Sequence, residues 1–269
     1  MKDQLWKTVQ AVRTNSPLVH NITNYVVMNN SANALLAAGA SPVMAHAHSE
    51  IEAMVGIASA LVINIGTLDE YWVESMRRAV LQAESLHKPW VLDPVGAGAT
   101  PYRNRVLEEL LKHKPTVIRG NATEILALVS SSTGTKGVDS TNESTEALAA
   151  AQELSRTTGA VVCVSGAIDL MVQGEQWLSL SNGHNLMARV TGMGCTASAL
   201  IGACCAVTAD QPLMATAAAM ALMGVAGELA AEKAEGPGTL QLHFLDLLYT
   251  MSEAVFMQRL KLEQNHAAI

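Results

Sequence analysis

The chain has 269 residues, a formal net charge of −7 at pH 7, and 49% apolar residues, of which few are aromatic. This length suits one large α/β domain, so we predict a single domain over residues 1–269, and the acidic balance without a Lys/Arg cluster argues against a nucleic-acid partner. The four cysteines form no zinc or disulfide pattern, the N-terminus has no apolar signal segment, and the apolar stretch 213–227 is too short to span a membrane, so we expect a cytoplasmic protein without a membrane partner.

Apolar, β-branched runs alternate with helical patterns along the first two thirds of the chain. The predicted strands are 17–21, 42–45, 61–65, 90–93, 116–119 and 161–165. The predicted helices between them include 25–38, 69–86, 103–113 and 143–158. Such alternation is typical of βαβ units, and it predicts a three-layer α/β/α fold with a mostly parallel central sheet.

The pattern changes after Val172. The segments 171–172 and 176–180 flank Gln173-Gly174-Glu175, which predicts an antiparallel hairpin. From Cys195 to about Gln264 we predict an almost wholly helical chain. The segment 130–141, rich in Ser, Thr and Gly, is expected to be a surface loop.

Polar residues follow four of the predicted strands directly. The clusters lie at 20–24, 93–99, 119–124 and 165–166. Because functional groups in an open α/β sheet collect at the carboxyl ends of the strands, we expect these clusters to share one cleft. Helix caps and turns use the same residue types, so each cluster by itself is weak support.

The run Gly192-Met193-Gly194-Cys195 precedes a long alanine-rich helical stretch. The first turn of a helix carries unpaired N–H groups and the positive end of the helix dipole, and glycines let a ligand approach that backbone closely. The run therefore predicts an anion cradle, with Cys195 where charge develops during group transfer. The alternative is a small-residue turn that packs a buried helix.

Asp93 and Glu124 are the carboxylates best placed to bind Mg²⁺, which needs only one or two carboxylates together with phosphate oxygens. Glu124 also fits a capping box, with Asn121 as the N-cap, and the two roles are compatible. Arg119 at a strand end suits a polyphosphate, the alternative being a surface ion pair.

Six motifs occur in the order and at the approximate spacing of a known family. They are HNITNYV (20–26), SPVMAHAHSE (41–50), DPVGAGAT (93–100), RGNATEI (119–125), VSG (164–166) and ARVTGMGC (188–195). Together they resemble the hydroxyethylthiazole kinase family of the ribokinase-like superfamily. The resemblance implies a ribokinase-like kinase domain without a lid. It also implies Mg²⁺-dependent transfer of the ATP γ-phosphoryl group to 4-methyl-5-(2-hydroxyethyl)thiazole, in thiamine salvage. A homotrimer with pockets completed by neighbouring subunits is likewise implied.

The resemblance also implies roles for individual residues. Substrate contacts fall to Met44, Gly192 and Asn21, ATP contacts to Arg119, Ser165 and Asn121, the metal to Asp93 and Glu124, and catalysis to Cys195 and Gly194. Ribokinases generally carry Asp where this chain has Cys195. Since a helix N-terminus lowers the pKa of a cysteine, we predict that Cys195 serves as a weak base for the substrate alcohol.

Three other functions fit parts of this pattern. The first is another small-alcohol kinase of the superfamily, acting on hydroxymethylpyrimidine or a sugar. The second is an ATP- or ADP-dependent dehydratase that repairs hydrated NAD. The third is a non-catalytic sensor of thiazole or nucleotide, which the set of Asp93, Asn121 and Glu124 argues against.

Overall fold

The computed structural model describes residues 1–133 and 143–266, in which nine strands and eleven α-helices occur. The strands are β1 (Leu18–Ile22), β2 (Ser41–Val43), β3 (Ala60–Asn64), β4 (Trp90–Asp93), β5 (Val117–Asn121), β6 (Val161–Ser165), β7 (Asp169–Gln173), β8 (Gln176–Leu180) and β9 (Leu262–His266). The helices are α1 (Lys2–Asn15), α2 (Met28–Ala38), α3 (Ile51–Ile57), α4 (Glu70–Ser85), α5 (Pro101–Leu111), α6 (Ala122–Thr133), α7 (Glu143–Thr158), α8 (Met193–Val207), α9 (Pro212–Lys233), α10 (Pro237–Thr250) and α11 (Glu253–Arg259).

All nine strands form one sheet in the order β2-β1-β3-β4-β5-β6-β7-β8-β9. The strands from β2 to β6 pair in parallel, and β6 to β9 pair antiparallel. The predicted mostly parallel sheet and the predicted hairpin (β7 and β8) are confirmed. Parallel strands need crossover connections, and the intervening helices supply them on both faces of the sheet.

Two core clusters lie on opposite faces of this sheet. Val62 and Val91 belong to the cluster beneath α1, α2 and α8 to α11, whereas Leu61 and Leu92 belong to the cluster beneath α3 to α7. Successive side chains of a strand point to opposite faces, so each central strand contributes to both cores. This arrangement confirms the three-layer α/β/α prediction.

The prediction of an almost wholly helical C-terminal third is wrong at its end. Residues 262–266 form β9, which extends β8 with Leu262 opposite Leu180. The strand depends on a partner edge more than 80 residues earlier in the chain, and local periodicity carries no sign of that edge. Helices α1 and α3 are also additions to the predicted set.

Most predicted boundaries differ from the observed ones by one to three residues. β2 ends at Val43 instead of residue 45, and α6 continues through Thr133, so the start of the predicted 130–141 loop is helical. Residues 134–142 of that loop lie outside the described part of the chain.

Helix α9 is long and apolar enough to cross a membrane by length and composition. However, 83% of its most apolar 18-residue window is buried inside the protein. A helix that is hydrophobic all round is expected where protein surrounds it, and α9 packs against α1, α8 and α10.

Candidate active site at the carboxyl edge of the sheet

The carboxyl ends of β3 and β4 present polar side chains to α8. Asn64 and Asp93 each follow by two residues a valine that faces the α8 side of the sheet, so they point to that side too. They also stand opposite each other in the strand register. Asn64 lies outside the four predicted clusters, and it joins two of them, because it bonds to Asn24 and to Asp93.

A buried chain of hydrogen bonds runs along this edge. Asn24 Nδ2 donates to Asn64 Oδ1 (2.8 Å), Asn64 Nδ2 donates to Asp93 Oδ2 (2.7 Å), and Ser198 Oγ of α8 donates to the same carboxylate oxygen (2.8 Å). Asp93 is only 1% exposed, and its Oδ1 has no hydrogen-bond partner among the described residues. Burial raises the pKa of Asp93, against the opposing effects of the Arg119 charge and the Ser198 hydrogen bond. One carboxylate oxygen thus remains available for a ligand.

Helix α8 begins above this carboxyl group. Gly192 is its N-cap at φ 84°, and a Cβ there would lie 2.9 Å from Val27 Cγ1, so both the backbone conformation and the space require glycine. The first N–H bonded within this turn is that of Thr196, which donates to the Gly192 carbonyl (2.8 Å). The N–H groups of the three preceding residues have no acceptor inside the helix, which is the geometry of an anion cradle.

Arg119 lies against the start of α8. A Cβ built on Gly194 would be 2.5 Å from Arg119 Nη1, so glycine is what allows the guanidinium to approach the helix. Arg119 forms no salt bridge with any described residue, and its buried Nε has no partner there. The surface ion pair considered as an alternative is absent from the described part of the chain. The guanidinium and the helix N-terminus are both positive, and an anion between them would interact favourably with both.

Cys195 occupies the third position of α8, where Asn24 Nδ2 donates to its Sγ at 3.6 Å. Burial raises the pKa of the Cys195 thiol to about 11, and the neighbouring Asp93 charge adds to the increase. The prediction of a lowered pKa is therefore wrong, because the loss of solvation outweighs the helix dipole and the Arg119 charge. At neutral pH Cys195 is a thiol.

Asn121 and Glu124 form the predicted capping box at the start of α6. Asn121 Oδ1 accepts from the Glu124 N–H (2.9 Å), and Glu124 Oε2 accepts from the Asn121 N–H (2.9 Å). The other oxygen, Oε1, accepts from the Gly96 N–H (3.0 Å), which joins α6 to the loop after β4. Each bonded carboxylate oxygen retains a lone pair, so capping does not prevent ligand binding.

The end of β6 lies beside the same capping box. Ser165 stands opposite Asn121 in the register, and its Oγ donates to the Gly120 carbonyl (3.3 Å). Asp169 Oδ1 accepts from the Gly166 N–H (3.0 Å), and burial raises the pKa of this carboxyl to about 6. Sequence reasoning missed Asp169, although an acid three residues after a strand-end glycine is typical of a side chain that caps a turn.

The segment that carries Met44 is irregular chain held by side chains from two elements. His20 Nε2 of β1 donates to the Ala45 carbonyl (2.7 Å), and Ser75 Oγ of α4 donates to the His46 carbonyl (2.7 Å). Burial lowers the pKa of His20, so its ring is neutral with the proton on Nε2. Met44 itself is half-buried.

Asn21 and Asn24 differ in their access to the cleft. Asn21 is 1% exposed, and its Nδ2 donates to the Val19 carbonyl of its own strand (2.9 Å). Asn24, three residues later, is the side chain that reaches both Asn64 and Cys195. Sequence reasoning did not single out Asn24, and the only signal was its place within the 20–24 cluster.

Comparisons with known proteins identify relatives over nearly the whole chain. The model of the "Hydroxyethylthiazole kinase family" matches residues 9–254. A hydroxyethylthiazole kinase of Syntrophus aciditrophicus is 56% identical over 262 residues, covering 97% of each chain. One of Vibrio parahaemolyticus is 51% identical and covers 97% of this chain and 98% of its own length.

Solved structures show the same relationship. A hydroxyethylthiazole kinase protein of Pyrococcus horikoshii superposes with a TM-score of 0.92 at 45% identity, over 99% of this chain and 100% of its own. A pyridoxal kinase of Staphylococcus aureus superposes with a TM-score of 0.63 at 18% identity, over 93% of this chain and 99% of its own. A ribokinase-like superfamily protein of Enterococcus faecalis superposes with a TM-score of 0.65 at 14% identity, over 94% and 95%. At such identities the last two establish the fold alone.

Proposed function

The chain belongs to the hydroxyethylthiazole kinase family, and we propose that its cleft transfers the γ-phosphoryl group of ATP to the primary alcohol of 4-methyl-5-(2-hydroxyethyl)thiazole, a step of thiamine salvage. The observation that carries this proposal is the pair of positive groups at one spot, the α8 N-terminus and the Arg119 guanidinium without an ion-pair partner in the described chain. Phosphoryl transfer mostly requires positioning and charge stabilisation, which such a cradle supplies.

ATP binds along the β5 and β6 side of the cleft. Arg119 contacts the phosphates, with Ser165 and Asn121 beside them at the strand ends, which stand opposite each other in the sheet register. The N–H groups of Gly194 and Cys195 face the transferred phosphoryl group and stabilise its charge as it moves.

Magnesium is held by Glu124 and Asp93. The donor set fits: Asp93 has an oxygen without a partner among the described residues, Glu124 keeps lone pairs beyond its two N–H bonds, and carboxylate oxygens suit this hard cation. No group of three or more His, Cys, Asp or Glu that could hold a metal occurs in the described residues, but Mg²⁺ needs only one or two carboxylates when phosphate oxygens complete its shell. When bound, the ion would offset the charge of the β- and γ-phosphates.

The thiazole alcohol binds on the β1 side, against Met44, Gly192 and the 21–24 segment. Its hydroxyl lies beside Cys195, which takes the proton late in the transfer through the small thiolate fraction that a pKa of about 11 allows. The rate contribution of Cys195 therefore increases with pH.

Three broader features complete the proposal. The chain acts as one domain over residues 1–269, since its sheet takes strands from residue 18 to residue 266. It forms a homotrimer with the thiazole pocket at the subunit boundary; Tyr25 and Val26, next to Asn24, are 58% and 61% exposed apolar side chains that a neighbouring subunit would cover. It is located in the cytoplasm, consistent with four unpaired cysteines.

The deciding experiment incubates the purified protein with ATP, Mg²⁺ and hydroxyethylthiazole and measures the thiazole phosphate formed. Hydroxymethylpyrimidine, pyridoxal and ribose, in separate reactions, test the other alcohol kinases, and hydrated NAD tests the dehydratase. We expect kcat/KM for hydroxyethylthiazole to exceed that for every other alcohol. Phosphorylation of another alcohol at a higher kcat/KM, or consumption of hydrated NAD, would overturn the proposal.

A further inference from the structure

We propose that Arg103 is a positioning residue, which orients two peptide units that donate hydrogen bonds to cleft side chains, one to Asn64 and one to Glu124. This inference rests on the proposed function. Arg103 lies in the first turn of α5, behind the cleft. Its Nη1 donates to the carbonyls of Ile65 and Val95 (2.8 Å to the latter), and its Nη2 donates to the Gly66 carbonyl (2.7 Å). One guanidinium thus joins the loops after β3 and β4.

Each of the two carbonyls bound by Nη1 belongs to a peptide unit whose N–H group donates a hydrogen bond to a cleft side chain. The Ile65 carbonyl shares its peptide unit with the Gly66 N–H, which donates to Asn64 Oδ1 (2.9 Å). The Val95 carbonyl shares its unit with the Gly96 N–H, which donates to Glu124 Oε1 (3.0 Å). In a trans peptide the C=O and the following N–H point in opposite directions from one rigid plane.

Arg103 therefore sets the direction of both N–H donors from behind. If the carbonyls were released, each peptide plane could rotate, and the N–H groups would no longer be directed at Asn64 and Glu124. Asn64 also donates to Asp93, so the disturbance would reach both proposed metal ligands. A planar fork with several fixed donors suits this task, and a lysine ammonium does not reproduce its geometry.

The backbone of each loop lies in close contact with a neighbouring side chain. A Cβ on Gly66 would be 2.6 Å from Asn24 Nδ2, so its backbone lies directly against the side chain that reaches Cys195. Gly96 has φ 73°, and the Arg103 Cδ passes 3.5 Å from where its Cβ would be. A small rotation of either loop would displace cleft atoms, and a displacement of about 1 Å can lower the rate about 10²-fold.

The test compares Arg103→Met, Arg103→Lys and Arg103→Gly with Arg105→Met, a matched control that removes an exposed arginine from the same helix. We measure kcat, the KM for each substrate, the Mg²⁺ concentration at half-maximal rate, and the thermal unfolding midpoint, and we assay below that midpoint. For Arg103→Met we expect kcat to fall about 10- to 100-fold and the half-maximal Mg²⁺ concentration to rise. Arg103→Lys is expected to recover only part of the activity. Low millimolar guanidinium is expected to restore part of the rate of Arg103→Gly, and none of the rate lost by Glu124→Gln.

The outcomes separate this inference from the proposed function. Kinetic constants of Arg103→Met equal to those of Arg105→Met would overturn the role of Arg103 while the kinase stands. The positioning role would also be overturned if the variants lost activity only in proportion to their folded fraction, with unchanged Mg²⁺ dependence and no rescue by guanidinium. Arg103 would then be a structural residue. If the wild-type protein does not phosphorylate the thiazole, the proposed function fails; calorimetric binding of Mg²⁺ and ADP then tests Arg103, and equal affinities for wild type and Arg103→Met would overturn the inference.

Discussion

The two sides of the cleft are constructed in different ways. On the β3–β4–α8 side, buried side chains bond to one another across chain separations of 40, 29 and 105 residues. On the β5–α6–β6 side, Asn121 and Glu124 are three residues apart and bond mainly to backbone N–H groups. The first side depends on the whole fold and the second on a local motif. We therefore expect the loss of one side chain to lower the free energy of unfolding more on the first side, and to affect mainly turnover on the second side.

Glu124→Gln tests the second side and carries the largest expected effect. Glutamine preserves the size of the side chain but removes the charge that attracts the metal, and its NH2 group can replace neither oxygen as an acceptor, so one of the bonds from Gly96 and Asn121 is lost. We expect kcat at limiting Mg²⁺ to fall about 10³-fold and the free energy of unfolding to fall by only about 1 kcal/mol. Glu253→Gln, a first-turn glutamate of α11, is the matched control. Normal turnover by Glu124→Gln at limiting Mg²⁺ would remove the metal role.

A pair of asparagine variants compares the stability of the two sides directly. Asn64→Leu removes the oxygen acceptor of the Asn24 amide, leaves the Gly66 N–H unpaired and removes a donor to Asp93, and we expect a loss of about 4 kcal/mol in the free energy of unfolding. Asn121→Ala removes one helix cap, with an expected loss of about 1 kcal/mol. Chemical denaturation measures both values. Equal losses would contradict the distinction between the two sides.

Asp169→Asn tests whether burial of the Asp169 carboxyl group, next to the end of β6, lowers the stability of the protein at neutral pH. The folded-state pKa of Asp169 is about 6, above the ordinary 3.8, so the folded protein holds this proton more tightly and its stability falls as pH rises from about 4 to about 6. At about 1.4 kcal/mol per pKa unit, the cost is about 3 kcal/mol above pH 6. Because the amide oxygen of asparagine can still accept from Gly166, we expect Asp169→Asn to be more stable than wild type at pH 8 and equal to it near pH 4. Parallel stability curves over this range would refute the assignment.

Cys195→Ser tests the first side with the smallest expected effect. Serine retains the shape but not the thiolate, so we expect kcat to fall less than about 10²-fold at pH 7, with the KM for ATP unchanged. Because the pKa of Cys195 is about 11, its thiolate fraction increases throughout the range from pH 6 to pH 9, and the ratio of wild-type to variant kcat is expected to increase with it. A ratio near one at every pH would identify Cys195 as a small residue tolerated beside the phosphates.

Features that depend on neighbouring residues could be predicted from the sequence. The alternation of apolar strands and amphipathic helices depends on spacings of two to four residues, and it predicted the parallel sheet and the β7–β8 hairpin. The capping box of Asn121 and Glu124 was predictable because its two members lie one helical turn apart. The glycines at the start of α8 indicated a close backbone approach, and the structure places Arg119 against Gly194.

Features that depend on residues far apart in the chain were decided only by the tertiary structure. The pKa of Cys195 was predicted in the wrong direction, because a helix terminus is visible in the sequence whereas desolvation depends on every element packed around the thiol. Strand β9 and the three carbonyls bound by Arg103 likewise require partners that folding alone brings together. The sequence by itself determined most of the elements and the local cap at α6, since short spacings set their hydrogen bonds. The charge state of Cys195 and the orientation of the peptide groups in the cleft depend on burial and on long-range contacts, which no short segment of the chain encodes.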